Sequence, residues 1–176
     1  MHAEEQKHHS ENPFGPVGDD ECIIRVVQQP PSRIVDGKPE ASYLKTDEVC
    51  RNEHVPGGAS CYRACKSDVL AFKAWAENLI AKKVDGKPGK DYLGIVRIKA
   101  RHVREIIHAK SGKRGILLLA DGEPGDFTHC SLRWNDYDIK PCEKSLCRHL
   151  RNVMEVSGKF INKPLEELTE ADLHSC

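Results

Sequence analysis

Short apolar runs along this chain alternate with segments rich in glycine, proline and charged residues. This pattern predicts strands joined by turns, with a few amphipathic helices between them. β-Branched and aromatic residues concentrate in the apolar runs, as is typical of strands. Four strands are predicted on this basis: Cys22–Val27, Leu93–Ile98, Ile116–Ala120 and Phe127–Trp134. Residues Ala59–Cys65 fit either a further strand or the lead-in to a helix.

Two of these strands differ in the spacing of their apolar residues. Ile116–Ala120 contains no polar residue, which is typical of a strand that is covered on both faces. Phe127–Trp134 instead alternates between polar and apolar positions. Because successive side chains of a strand point to opposite faces, His129 is predicted on one face and Cys130 on the other.

Apolar residues recur with a period near 3.6 in the segments predicted to be helices. The clearest helix follows a capping residue at Ser67, ends before the turn at Asp85–Gly89, and has these residues on its predicted inner face: Val69, Leu70, Phe72, Trp75, Ala76, Leu79 and Ile80. Further helices are predicted over Lys99–Lys110, from Pro141 to Gly158, and over Pro164–Leu173.

Strands that alternate with two or three amphipathic helices favour an α+β fold, with a mixed β-sheet packed by those helices. The chain has 176 residues, a length that suits one compact domain, assigned here to residues 20–176. Residues 1–19 are polar and contain two prolines, and this composition predicts a flexible N-terminal lead-in.

Composition excludes some classes of protein. The 27 basic and 27 acidic residues give a formal net charge of +0, so no bulk field attracts the chain to nucleic acid or to a membrane. No apolar run is long enough to span a bilayer. The first residues, MHAEEQKHHSENPFGP, lack the basic start and apolar core of a secretory signal. We therefore expect a cytoplasmic protein whose eight cysteines are free thiols or metal ligands.

Two strong polar residues interrupt apolar strands and form the first candidate site. Arg25 lies within Cys22–Val27 and His129 lies within Phe127–Trp134. If these strands are neighbours, Arg25 can bind an anionic ligand and His129 can act as an acid or base. Asp121 and Asp126 in the preceding loop are candidates to orient the imidazole. The alternative is an exposed arginine and a hydrogen-bonded structural histidine.

Zinc is the basis of the second candidate site. Cys50, His54, Cys61 and Cys65 form the spacing C-x3-H-x6-C-x3-C around a Pro-Gly-Gly turn. Cysteine and histidine are the ligand types of tetrahedral zinc, but this spacing differs from the common zinc-binding patterns. Unrelated buried or exposed cysteines are the favoured alternative.

A basic helix face is the third candidate. Arg101 and Arg104 lie on the predicted outer face of Lys99–Lys110, together with other lysines and histidines. Such a face can contact phosphates of a nucleotide or of nucleic acid. No aromatic residues are interleaved for base stacking, and a solvated helix face is the simpler interpretation.

The order of motifs resembles that of small uncharacterised bacterial proteins in which an early arginine and a late histidine bracket an α+β domain. More distantly, Arg25 and Ser60 can be aligned with the early arginine or histidine and the later serine of ADP-ribosyltransferase-like toxins and RNA 2′-phosphotransferases. This second resemblance implies that Arg25 and Ser60 are ligand-binding residues. The late glutamate motif expected of that group is not present.

These observations lead to one expected function and two alternatives. We expect a site for an anionic or phosphate-bearing ligand around Arg25 and His129, which is catalytic if the protein is an enzyme that acts on a nucleotide or a nucleic-acid-derived substrate. The first alternative is a non-catalytic protein-interaction module, stabilised by zinc if the second site exists. The second alternative is an ADP-ribosyltransferase-like toxin or effector.

Overall fold

A computed structural model gives the fold of this chain. It describes residues 2–7, 12–29, 34–40, 49, 58–81, 89–122, 124–135, 138–139 and 144–175. Among these residues, eight strands and five α-helices follow one another along the chain. They are α1 (Ala3–Lys7), β1 (Cys22–Gln29), β2 (Ile34–Val35), β3 (Lys38–Pro39), β4 (Ala59–Arg63), α2 (Val69–Ala81), β5 (Asp91–Lys99), α3 (Ala100–Arg104), β6 (Ile116–Leu119), β7 (His129–Trp134), α4 (Lys144–Ser157), β8 (Lys159–Ile161) and α5 (Glu170–His174).

Six of the strands form one sheet in the order β6-β7-β4-β1-β5-β8, and β2 pairs with β3 separately. The predicted α+β class is confirmed. All pairings among the described strands are antiparallel, so the sheet is antiparallel and not mixed as the sequence analysis predicted. The ambiguous segment Ala59–Cys65 is resolved as strand β4, followed by a short 3₁₀ turn at Ala64–Lys66.

The two faces of the sheet carry separate apolar cores, because side chains alternate along each strand. One face contributes Ile23, Cys61, Cys130 and Leu132, which pack with residues of α3 and α4. We call this face A. The opposite face, face B, contributes Ile24, Tyr62 and Ile95, which pack with residues of α2 and α5. The sheet is therefore covered by helices on both sides, and the long central strand β1 is buried along most of its length.

Two helices differ from their predicted form. In α2 the predicted inner face is confirmed by buried Phe72 and Ala76, but Leu70 is 73 % exposed and does not belong to it. The helix predicted over Lys99–Lys110 ends at Arg104. Beyond it, the backbone N–H of Gly115 donates to the Ile106 carbonyl at 2.7 Å, so this stretch turns back towards β6 and does not continue as a helix.

The N-terminal lead-in contacts the domain at the outer edge of the sheet. The Glu5 side chain on α1 is completely buried, and its Oε1 accepts a hydrogen bond from the backbone N–H of Leu118 in β6 at 3.0 Å. Its Oε2 lies 3.0 Å from Nε of Arg104. The described part of the lead-in, predicted to be flexible, thus supplies a buried carboxylate to a sheet edge that otherwise has unpaired backbone groups.

The predicted cytoplasmic location can be compared with the bonding state of the cysteines and with the lengths of the helices. Cys22 is disulfide-bonded, whereas Cys61, Cys65, Cys130 and Cys147 are free thiols. The expectation that all cysteines are free or metal-bound is therefore wrong for Cys22. Disulfides are typical of oxidising compartments, so the cytoplasmic location stays a prediction. In the described part of the chain, no helix has the length and apolarity required to cross a bilayer.

Candidate functional site

His129 stands at the first position of β7, on face B of the sheet. The strand register places His129 opposite Tyr62 of β4, and Tyr62 in turn lies opposite Ile24 of β1. Cys130 lies opposite Cys61 and belongs to the core on face A. The predicted separation of His129 from Cys130 is thus confirmed, and no Cys130–His129 pair exists. Burial raises the pKa of the Cys130 thiol well above its usual value, which suits a packing role.

The hairpin between β6 and β7 brings a carboxylate to this histidine. Leu119 of β6 lies opposite Ser131 of β7, so two residues further along each strand the same register sets Asp121 beside His129. Asp121 Oδ1 accepts a hydrogen bond from Nδ1 of His129 at 2.9 Å. Gly122 makes the close loop possible, because a Cβ atom there would lie only 2.3 Å from the Asp126 carbonyl oxygen.

The hydrogen bond between His129 and Asp121 favours the protonated form of the imidazole. Burial opposes the protonated ring, but the hydrogen bond and charge of Asp121, and the charge of Asp126, outweigh it, so the pKa of His129 is raised above its usual value of 6.5. The side chain remains 23 % exposed, and its Nε2 makes no hydrogen bond with a described residue. Asp121 therefore fixes the ring and leaves Nε2 to exchange a proton with a ligand or with water.

A chain of hydroxyl groups borders the imidazole. Thr128 donates to Asp126 Oδ1 at 2.9 Å, and Tyr62 shares hydrogen bonds with Thr128 and Ser67. Burial raises the pKa of Tyr62, so its phenol stays protonated. Local sequence patterns do not mark Tyr62 or Thr128 as site residues, and they indicate Ser67 only as a helix cap. Tyr62 could have been found only from the register between β4 and β7, which local patterns do not encode.

Arg25 is not placed beside His129 in the way the sequence analysis required. Strand β4 lies between β1 and β7. Arg25 alternates with Ile23 and Val27, which belong to the core on face A, whereas His129 is on face B. The guanidinium is largely buried and Nη1 donates to the Ser60 carbonyl at 2.6 Å. The charge of Arg25 still acts to lower the pKa of His129, against the effects that raise it, but the two residues do not lie on neighbouring strands.

Serine residues lie near His129 without completing a nucleophilic site. Ser60 and Ser131 are directly opposite each other on β4 and β7, two residues along their strands from Tyr62 and His129. No hydrogen bond joins the hydroxyl of either serine to His129 among the described residues. The arrangement among the described residues is thus a hydrogen-bonded pair of His129 and Asp121, not a serine–histidine–aspartate triad.

The two arginines predicted to bind phosphates on a helix face have other roles. Arg104 is buried and bonds to Glu5, to Asp19 Oδ1 at 2.6 Å and to the Val17 carbonyl at 2.6 Å. Arg101 pairs with the exposed carboxylate of Asp20. Arg104 in particular is consumed by contacts within the chain and cannot serve as a phosphate ligand without releasing the N-terminal segment.

The candidate zinc ligands are only partly described by the structure. Cys50 and His54 lie outside the described residues. Cys61 is buried in the core on face A, and Cys65 is exposed with its thiol 3.5 Å from Glu21 Oε2. Where the chain is described, no group of three or more metal-ligating side chains is assembled. Zinc binding therefore stays a prediction of the sequence.

The sign of the His129 pKa shift predicts a pH-dependent stability. Asp121→Asn removes the carboxylate that favours the imidazolium, so it should destabilise the protein most at about pH 5.5, where His129 is protonated in both folded and unfolded states. The difference should shrink as the pH rises through the raised pKa of His129. Urea unfolding of both proteins at about pH 5.5 and about pH 9 measures this. Equal differences at the two pH values would contradict the charged pair.

Comparisons of this chain with protein-family models, with curated proteins and with solved structures found no match. The family resemblances drawn from the order of motifs gain no support from them. Any function therefore has to follow from the chemistry of the groups around His129.

Proposed function

We propose that this protein is an enzyme whose general acid–base group is His129, oriented by Asp121, and whose substrate is a small phosphate-bearing molecule. The observation that supports the proposal is the 2.9 Å hydrogen bond between Nδ1 of His129 and Asp121 at a partly exposed position of the sheet. A carboxylate on Nδ1 fixes the ring, so that Nε2 is the atom that gives or takes the proton.

The charge of the imidazole supports an anionic substrate. The pKa of His129 is raised, so the ring keeps its proton to a higher pH than a free histidine does, and that proton can bind a phosphate oxygen or protonate a leaving oxygen. Asp121 stabilises that imidazolium without accepting the proton itself. Once deprotonated, Nε2 can accept a proton from an attacking water. The hydroxyl groups of Tyr62 and Thr128 near the same ring donate to Ser67 and Asp126, and so hold the residues beside the imidazole in place.

Two experiments test this proposal, and the first follows catalysis. Hydrolysis of bis(p-nitrophenyl) phosphate, a general phosphodiester probe, should fall about a hundredfold in His129→Gln, since the positioned acid–base group is lost. Asp121→Asn should reduce turnover and shift the alkaline limb of the pH–rate profile to lower pH, because the pKa of His129, the proton donor, falls without the carboxylate. His149→Gln, at an exposed histidine of α4, is the matched control and should leave turnover unchanged.

The second experiment follows the imidazole directly. In ¹H–¹⁵N spectra of the histidine rings, adding adenosine monophosphate should shift the His129 Nε2 signal in a saturable way, and Asp121→Asn should weaken that binding about tenfold. The proposal fails if the nucleotide does not shift the His129 Nε2 signal and if His129→Gln and His149→Gln hydrolyse the diester no more slowly than the parent protein. His129 would then be a structural histidine.

A further inference from the structure

Three cationic side chains, from β5 and β8, lie on face B of the sheet. His129 is on the same face, but in β7, near the other edge of the sheet. Arg97 and Lys99 lie two residues apart on β5 and so point to the same face. The register between β5 and β8 puts Lys159 directly opposite Arg97. Like charges in directly opposite positions of an antiparallel pair destabilise a sheet, unless an anion or a carboxylate is shared between them.

The contacts of these cations do not remove their repulsion. Arg97 is only 2 % exposed, and its Nη1 donates to the backbone carbonyls of Ala171 and Asp172 near the end of α5. Its buried Nε has no hydrogen-bond partner among the described residues. Neither Lys99 nor Lys159 forms an ion pair or a side-chain hydrogen bond within the described chain. The nearby Asp172 carboxylate attracts Arg97 electrostatically, but its oxygens are hydrogen-bonded to Lys163, at 2.8 Å from Oδ1, and not to Arg97.

A small cavity opens between these cations. Its volume is about 120 Å³, and the described residues that line it are Arg97, Ile98, Lys99, His102, Ser157, Lys159 and Ser175. None of these described lining residues carries a carboxylate side chain; Glu105 Oε2 lies 3.7 Å from Nδ1 of His102. At roughly 30 Å³ for each water molecule, the space corresponds to about four waters. This is the scale of one tetrahedral oxyanion and not of a whole nucleotide.

We propose that this cavity is a binding site for a phosphate group. Arg97 offers the N–H of Nε, which lacks a partner among the described residues. Lys99 and Lys159 offer two further positive charges, and Ser157 offers a hydroxyl group at the rim. A bound dianion would satisfy the charges that now face one another across β5 and β8. Inorganic phosphate and the phosphate of a small ester share this chemistry, and both are included in the test.

This site is separate from the acid–base site. Residues Arg97, Ile24, Tyr62 and His129 lie in one row across four adjacent strands. At about 4.8 Å between neighbouring strands, Arg97 and His129 are roughly 14 Å apart. Apolar side chains of the core on face B fill the interval. His102 and His129 therefore report on the two sites independently, and failure at one leaves the other unaffected.

The test follows the ring signals of His102 while inorganic phosphate, and in a second series adenosine monophosphate, is added to the full chain. We expect a saturable shift of His102 with phosphate and about tenfold weaker binding in Lys159→Ala. Lys144→Ala, at an exposed lysine of α4 outside the cavity, should bind as the parent protein does. Tighter binding of the nucleotide than of inorganic phosphate would identify an esterified ligand, and the reverse a free one.

Thermal unfolding supplies a second measurement with a diagnostic sign. In low-salt buffer without phosphate, Lys159→Ala should be more stable than the parent protein, because it removes the charge opposite Arg97. Phosphate should raise the melting temperature of the parent protein and of Lys144→Ala but not of Lys159→Ala. An unshifted His102 signal, or equal phosphate stabilisation in all three proteins, overturns the proposal.

Discussion

Replacing Glu5 with glutamine should lower the free energy of unfolding by about 3–5 kcal/mol, the usual loss when one partner of a buried ion pair is removed. The Glu5 side chain is completely buried, and its Oε2 lies 3.0 Å from Arg104 Nε and 3.3 Å from Arg114 Nη1. Glutamine preserves the size of the side chain but presents an N–H₂ group or a neutral oxygen to two guanidinium groups. Arg104 would then keep only the exposed carboxylate of Asp19, at 2.6 Å, in place of the buried charge of Glu5.

The sheet edge adds to this expected loss. Glu5 Oε1 accepts the backbone N–H of Leu118, a residue of the edge strand β6. Glutamine can satisfy either this N–H or the arginine with its single oxygen, but not both with equal strength. A loss of this size corresponds to roughly 10 °C in melting temperature for a domain of this length.

Thermal and urea unfolding of Glu5→Gln measure this effect, and Glu4→Gln is the matched control on the same helix. Glu4 is only partly buried, so its substitution should change stability by about 0.5 kcal/mol or less. Equal stabilities of the two variants would show that α1 does not hold the edge of the sheet in solution. That result would restore the flexible lead-in that the composition of residues 1–19 predicts.

Elements with strong local periodicity could be predicted from the sequence. The strand predicted at Cys22–Val27 extends to Gln29, and the apolar run Ile116–Ala120 contains β6 with all of its residues buried. The prediction of a helix over Lys99–Lys110 was wrong beyond Arg104. The same apolar spacing fits a short helix followed by a turn back towards β6. Ile107 instead forms a bridge with Arg114, and this non-local pairing ends the helical segment early.

In the candidate site too, contacts between residues close in sequence could be predicted, whereas contacts that depend on strand order could not. Asp121 and His129 lie eight residues apart in one hairpin, so their contact follows from local order and was among the predicted pairings. The proposed partnership of Arg25 and His129 depended on strand order, which is fixed by contacts far apart in sequence. Insertion of β4 between β1 and β7 therefore could not be predicted from patterns within either strand.

Buried arginines in apolar strands have different roles in this fold, so their position in the sequence does not show whether they bind a ligand. Arg25 in CIIRVV and Arg97 in GIVRIK interrupt similar apolar runs, yet Arg25 bonds to the Ser60 carbonyl, whereas Arg97 lines a cavity with other cations. Arg63, at the end of β4, is wholly buried and bonds to the chain before β1. The same residue type therefore stabilises loops in one place and forms the proposed phosphate site in another, and the sequence alone does not separate these roles.

Arg63 gives the second large expected effect. Its Nε and Nη2 donate to the two carboxylate oxygens of Glu21 at 2.9 and 2.7 Å, and Nη1 donates to the Gly15 carbonyl at 2.7 Å. Arg63→Met preserves much of the apolar volume but removes all of these donors. We expect a loss of about 3–5 kcal/mol, because Glu21 and the loop carbonyls are left without their partner.

The pH dependence of that loss distinguishes the ion pair from simple packing. Burial acts to raise the pKa of Glu21, but hydrogen bonds and the charge of Arg63 outweigh it and lower the pKa below its usual value of 4.5. The pair therefore stabilises the protein fully above about pH 4.5, and its contribution is lost as the pH falls through the lowered pKa. The difference between the parent protein and Arg63→Met should accordingly shrink in acid.

Arg101→Met is the matched control for this experiment, because Arg101 also pairs with a carboxylate of the segment before β1, that of Asp20. The Arg101 side chain is 45 % exposed and its partner Asp20 is 82 % exposed, so solvent screens the pair and its loss should cost less than about 1 kcal/mol. Similar losses in both variants, or a loss in Arg63→Met that is constant down to about pH 3, would mean that volume and not charge holds this segment. A large loss confined to Arg63 and fading in acid would instead establish that a buried arginine fastens residues 14–21 to the end of β4.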